Sequence, residues 1–448
     1  MTSGSPASFR RAAAVILVAG FALAQIQPAR GEEEKKGFFS KIFGGGKSEE
    51  KPAEKPAEVK PESKPKSTTS SKSKSTASKP KSEPAKKPAP KPVVAEKKTE
   101  EKPKEAPKAT PKVEIKPAPA PQTASVNNVK NEAKPSASNP WHVIDLGGRD
   151  YITLESIRNF YNPLFGFSSL KTFGSVTSLE SKLLVLRVTN GSNVMTLNSM
   201  RFILSFKVVS HQNHVLISRL DVVKLLDPVL RPSHIQGAEL FDTVVIDAGH
   251  GGHDPGARGV YGYEKTYTLK LAQHLRSALQ RLGFKVVLTR STDVFLSLSE
   301  RVAIANQIPK SVFISLHFNS SDNLASGIET WALTPKDAAA TISRGGGYNT
   351  NGVTGNKQDS ANIALASALH ARVITSVKAI DRGIMRAQWS VLTGITRPAV
   401  LFEGGFVTNP KECLLIASDS YQKVLAASIA DAVVNYRKAL EPSFAQQR

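Results

Sequence analysis

One cysteine, Cys413, stands in 448 residues. A lone thiol excludes an intramolecular disulfide framework and any thiolate-cluster metal site. No run of 18 or more apolar residues is present, so no permanent transmembrane segment is expected. Acidic residues are short as well: 38 Asp+Glu face 60 Lys+Arg, a net charge of +22. An excess of that size suggests nucleic acid, but its distribution argues against that partner. Residues 1–30 hold three Arg and no acid, residues 31–140 hold 25 Lys against 15 Glu, and residues 141–448 keep only +9. More than half of the excess therefore precedes the part of the chain that reads as folded.

Arg10 and Arg11 precede the apolar run Ala12–Ala24, whose end, Ala22-Leu23-Ala24, offers small residues at the two positions that signal peptidase reads. A charged flank, a short apolar core and an A-x-A site predict a secretory signal over residues 1–24. No Cys stands at the cleavage point, so no lipid anchor is expected there, and the chain is expected in the periplasm or cell envelope. Residues 25–140 are Lys, Pro, Ala, Glu, Ser and Thr, with 17 prolines between Lys51 and Pro140. Such a composition buries too little apolar surface to offset chain ordering and predicts a disordered linker. In polyproline geometry it would reach on the order of 300 Å. It is either a solvated spacer or a tether whose lysines hold the protein against an anionic envelope surface. Phe39, Ile42 and Phe43 would share one face of a short helix that could touch a membrane, though the seven-residue island is too short to assign.

Residues 141–233 carry alternating runs at 183–188 and 201–210 and a helical signal at 153–161. They read as a small α+β module. It has no His, Cys, Asp or Glu cluster at ligand spacing. Its stretch Ile217-Ser218-Arg219-Leu220-Asp221 weakly resembles the small N-terminal domain of copper amine oxidases, which implies an accessory binding or positioning role. Residues 234–448 alternate differently. Strand runs at 243–247, 285–289, 312–318, 328–333 and 399–402 are interleaved with helical spacing at 264–282, 298–308, 360–377 and 419–440. This pattern predicts an α/β fold, a mostly parallel twisted sheet flanked by helices on both faces. Reactive groups in such sheets collect beyond the carboxyl ends of strands.

Three polar clusters sit there: Asp247-Ala248-Gly249-His250-Gly251-Gly252, His317-Phe318-Asn319 and Glu403-Gly404-Gly405-Phe406. A fourth carboxylate, Glu264, opens the first helix. Two His and one carboxylate, leaving a position for water, form a catalytic Zn²⁺ arrangement. His250, Glu264 and His317 are the candidate metal ligands, Glu403 the candidate acid/base, and Asn319 a candidate substrate contact. Blander readings exist for each. A lone His at a strand end is ordinarily a hydrogen-bonded structural residue, and Glu264 could simply favour its helix N-terminus. The glycines could cradle phosphate, although neither G-x-G-x-x-G nor a Walker lysine is present. His253, in the same loop as His250, is the rival ligand.

The run Val244-Val245-Ile246-Asp247-Ala248-Gly249-His250-Gly251-Gly252-His253-Asp254-Pro255-Gly256-Ala257 resembles the opening of the zinc-dependent N-acetylmuramoyl-L-alanine amidases. Glu264-Lys265, Leu288-Thr289-Arg290, Ser299-Glu300-Arg301, Phe313–Asn319 and Arg397–Phe406 with Asn409 follow in that family's order. The likeness covers residues 242–440, with Phe402 and Thr408 as mild departures. It implies Zn²⁺ on His250, Glu264 and His317, Glu403 as acid/base, and peptidoglycan as substrate, cut between muramic acid and L-alanine. Some members carry an inserted helix that blocks the metal site. Residues 334–359, glycine-rich and weakly helical, are not expected to do so, which predicts constitutive access. The rivals are a zinc peptidase cutting within the stem peptide and a wall-binding protein without catalysis.

Overall fold

A strand covered on both faces carries no polar alternation, and Thr243–Ala248 carries none: all six of its residues are buried. The computed structural model describes residues 129–134, 136, 140–342 and 345–441. The signal over 1–24, the island at 37–43 and nearly all of the linker over 25–140 lie outside the described residues.

The first half of the described chain runs β1 (Val129–Ala133), β2 (Val143–Leu146), β3 (Asp150–Thr153), helix α1 (Leu154–Phe165), β4 (Ser169–Phe173), β5 (Val176–Glu180), β6 (Val185–Thr189), β7 (Val194–Leu197), β8 (Met200–Ile203), β9 (Val209–His211) and β10 (His214–Ser218). A helical stretch over 219–230 closes it. Thr153 caps α1 by accepting from Ser156 N, and Gly166 ends it in the left-handed region, the usual stop signal. β1 pairs antiparallel with β2, so the span read as linker to residue 140 already contains a strand. The polar sequence VKNEA conceals it; β2 supplies buried Ile144 and Leu146.

The second half runs β11 (Thr243–Ala248), the short hairpin β12 (Arg258–Gly259) and β13 (Gly262–Tyr263), α2 (Glu264–Arg281), β14 (Lys285–Leu288), α3 (Leu298–Gln307), β15 (Ser311–Asn319), β16 (Ile328–Leu333), α4 (Asp359–Val377), β17 (Asp381–Ala387), α5 (Ser390–Thr393), β18 (Ala399–Phe406), α6 (Pro410–Ala417) and α7 (Asp419–Leu440). The α/β architecture holds, with helices on both faces of a large mixed sheet. α2, α4 and α7 cover one face over Val244, Ile246, Ile314, Leu316, Val400 and Phe402. α3 and α5 cover the other over Val245, Phe313, Trp331 and Leu401. Ser297 and Glu300 form a capping box at the start of α3, satisfying two orphan backbone donors.

Eleven strands form one sheet in the order β14-β11-β15-β18-β16-β17-β8-β7-β6-β5-β4. β14, β11, β15 and β18 are parallel, while β16 runs antiparallel to β18. The carboxyl end of β16 therefore lies at the end of the sheet away from those of β11, β15 and β18. The segment that follows β16, up to α4, leaves from that far end. The described residues 334–342 and 345–359 therefore begin at the end of the sheet away from the strand ends carrying His317 and Glu403.

The halves meet where β17 pairs with β8, Ile384 opposite Phe202. Gly383, at φ +109°, allows the close approach: a Cβ there would lie 3.2 Å from the Arg201 carbonyl oxygen. Arg201 N donates to Asp381 Oδ2 at 2.8 Å. Arg386 donates to Asp221 Oδ1 at 2.8 Å and to Ser205 Oγ at 2.9 Å. The Arg386 and Asp221 side chains are 1% and 0% exposed. The stretch 219–230 also packs on α4.

Candidate metal centre

Past β11 the chain turns through His250, whose φ of +59° is left-handed. That conformation costs a non-glycine residue roughly 1–2 kcal/mol. Two glycines permit what the turn achieves. A Cβ on Gly249 would overlap the His317 imidazole, and one on Gly256 would lie 2.6 Å from His250 Cδ2 and 2.7 Å from Glu264 Oε2. These glycines let the His250, Glu264 and His317 side chains close together, a sufficient reason for the loop's composition without any phosphate.

Glu264, the first residue of α2, is buried and reaches both histidines. Its Oε1 lies 2.9 Å from His317 Nδ1 and its Oε2 lies 3.1 Å from His250 Nε2. Ala257 N donates to Oε2 at 2.9 Å and Phe318 N to Oε1 at 3.1 Å. Burial pushes this carboxyl up, but the two imidazoles outweigh burial and hold it well below the ordinary carboxylate range. Burial pulls the His250 imidazole down, while Glu264 and Asp254 together raise it above its usual value. Asp254 Oδ2 is 2.8 Å from His250 Nδ1, and Asp254 Oδ1 accepts from Gly256 N at 3.1 Å. A carboxylate on the far nitrogen fixes the ring and aims Nε2 inward.

Two buried arginines hold the loop from behind. Arg301 donates to Asp247 Oδ1 and the Ala248 carbonyl at 2.7 Å each and to the His250 carbonyl at 2.8 Å. Arg290 donates to the carbonyls of Ala248, Gly249 and Lys265 at 2.8–2.9 Å. Asp247 also accepts from Thr289 Oγ1 and Ser315 Oγ at 2.7 Å each. It is the counter-ion of this framework.

Ligand atoms of His250, Glu264 and His317 all lie within 4.8 Å of one another. The 2.9 and 3.1 Å separations approach the roughly 3.3 Å edge of a tetrahedron with Zn–N and Zn–O bonds of about 2 Å. Two imidazoles and a carboxylate suit Zn²⁺, so the residues fit the ion. His253 lies elsewhere, exposed, with its ring 4.1 Å from that of Phe295.

Glu403, half-buried on β18, is the register partner of His317 on β15 and of Glu329 on β16. Adjacent strands lie about 4.8 Å apart, so the two residues are neighbours across the sheet. Asn319 does not open to a substrate. It is 6% exposed, its Nδ2 donates to Glu329 Oε2 at 2.7 Å, and its Oδ1 accepts from Ser320 N. Glu329 also accepts from Arg382 Nε at 2.6 Å. Sequence reasoning passed over Glu329 and Arg382; the signal was a glutamate inside the mostly apolar, fully buried strand IETWAL.

A family profile described as N-acetylmuramoyl-L-alanine amidase matches residues 244–435. The uncharacterized protein YqiI of Bacillus subtilis (strain 168) is 34% identical over 203 residues, 45% of this chain and 88% of that protein. AmiA of Escherichia coli (strain K12), named an N-acetylmuramoyl-L-alanine amidase, is 30% identical over 217 residues, 43% of this chain and 75% of AmiA. LytC of Bacillus subtilis (strain 168), which carries the same enzyme name, is 28% identical over 272 residues, 60% of this chain and 49% of LytC. This chain thus spans about half of LytC.

Proposed function

The chain belongs to the N-acetylmuramoyl-L-alanine amidase family, and from that premise we propose that it is an exported, zinc-dependent hydrolase of peptidoglycan. It cuts the amide between the lactyl group of N-acetylmuramic acid and L-alanine, in wall turnover or cell separation. The observation that carries this reading is the convergence of His250, Glu264 and His317 with Glu403 on the adjoining strand.

His250, Glu264 and His317 would hold the ion. When bound, Zn²⁺ supplies Lewis acidity at the carbonyl oxygen and brings the pKa of water to about 7. Glu403 takes the proton of the attacking water and delivers it to the alanine nitrogen. The lactyl carbon gains a C–O bond as its C–N bond breaks, leaving a carboxylate and a free amine. Asp254 and the arginine framework keep the His250 ring oriented throughout. In this reading residues 1–24 direct export, 25–140 tether the enzyme near an anionic envelope, 141–233 are accessory and 234–448 catalytic. Among the described residues no helix is long and apolar enough to cross a membrane.

The test is product analysis after incubating the whole chain with purified sacculi, with chelator, and with chelator followed by Zn²⁺. Released peptides that begin with a free alanine amine, lost with chelator and restored by Zn²⁺, support the reading. A new carboxylate inside the stem peptide would reassign the chain as a peptidase. Release indifferent to chelator would remove the metal.

A further inference from the structure

At the end of the sheet opposite the candidate metal centre, an open cleft of about 1200 Å³ lies between residues 148–224 and residues 336–337 and 348–359. Its walls are held in place by the β17–β8 pairing and the buried Arg386–Asp221 pair, so the two sides form one preset surface. Two of its cations are already engaged: Arg219 with Asp150 at 3.0 Å and Lys224 with Asp359 at 3.5 Å. Arg149, Lys336 and Lys357 remain against the single further acid Asp337, which leaves the cleft a net +2. Flat surfaces alternate with these charges. The Arg149 guanidinium lies 3.6 Å from the centre of the Phe206 ring, while Tyr348 is 51% and Val223 49% exposed.

A cavity this large and open exceeds the range of about 300–1,000 Å³ typical for small ligands. It suits a length of polymer with anionic groups and flat or apolar faces. The chain's own lysine-rich linker is repelled by the same sign of charge. We propose that this cleft is a second binding site for peptidoglycan. It takes a glycan–stem-peptide segment other than the one being cut, with peptide carboxylates on Lys336 and Lys357 and sugar faces on Tyr348 and the Arg149–Phe206 stack. The choice of polymer rests on the function proposed above. The enzyme would grip one strand with one end of its sheet while hydrolysing at the other.

The test compares full-length chains carrying Glu403→Gln, to stop turnover, in sedimentation with sacculi freed of phosphodiester polymers. Adding Lys336→Glu with Lys357→Glu should weaken binding about fivefold or more, roughly the effect of losing 1 kcal/mol. Tyr348→Ala should weaken it in the same direction. The control pair Lys182→Glu with Lys438→Glu, likewise exposed and outside the cleft lining, should leave binding unchanged. On the Glu403-intact background, the cleft variants should hydrolyse soluble muropeptides at the wild-type rate. Unchanged sedimentation of both cleft variants, or an equal loss in the control pair, overturns the proposal. Wild-type failure to cut muropeptides would instead remove the amidase reading, whatever the sedimentation shows.

Discussion

On one side of the β17–β8 pairing the sheet is largely parallel and buried on both faces; on the other it is a run of antiparallel hairpins from β4 to β8. Parallel strands send their carboxyl ends to one edge. That edge is where His317 and Glu403 sit, with His250 and Glu264 brought in by the loop after β11. Hairpins turn at alternate ends, as at Asn198 and Ser199, both in the left-handed region. That topology does not bring successive strand ends to one edge. Among the described residues, the one group of three His, Cys, Asp or Glu positioned to hold a metal lies in the parallel half. Chemistry follows strand direction here more closely than it follows composition.

Three experiments sharpen or break this contrast. The largest effect is expected from Glu403→Gln, which should lower peptide release by about 10²–10⁴-fold, the range for a positioned acid/base. Zinc content should stay near that of the unaltered chain. Activity surviving this change would mean that the parallel edge does not carry the proton transfer. Next is Arg386→Ala, which strands Asp221 as a buried unpaired charge. Breaking such a pair costs about 3–5 kcal/mol, and thermal unfolding should shift down as one transition. Two separated transitions would show the halves melting independently, dissolving the idea of one sheet. The smallest is Asp254→Ala, expected to weaken zinc affinity about 10–100-fold with thermal stability of the chelated protein little changed. Unaltered affinity would mean that the His250 ring is held by the loop backbone alone.

Much of the parallel half was legible in the sequence because runs such as Val244-Val245-Ile246 are apolar without alternation and break into polar residues at their ends. The same break singled out His250, His317 and Glu403, and His250, Glu264 and His317 do converge. β17 was missed because DRGIMRA looks like a charged loop. Its Arg386 is buried only because Asp221, 165 residues earlier, waits to receive it. α6 was missed too, although Asn409 caps it and Pro410 opens it, since eight residues show too little periodicity. Asn319, expected as a substrate contact, stands two residues after His317, but the β15–β18 register shifts between them and its amide donates to Glu329 on β16. Pairings between distant segments have no local signature, and the joining of the two halves is built from them.

The Gly383–Arg201 contact and the Arg386–Asp221 pair also bear on how such a protein can be rearranged by recombination. A bead-like accessory domain is exchanged by cutting anywhere in a flexible connector. Residues 141–233 are stitched to their neighbour through backbone pairing and a reciprocal charge. A replacement module must bring a strand in register with Ile384 and an acid for Arg386, or the host sheet is left with a bare edge and a stranded cation. By this geometry a swap of residues 141–233 has to carry a matched set of residues rather than a bare segment.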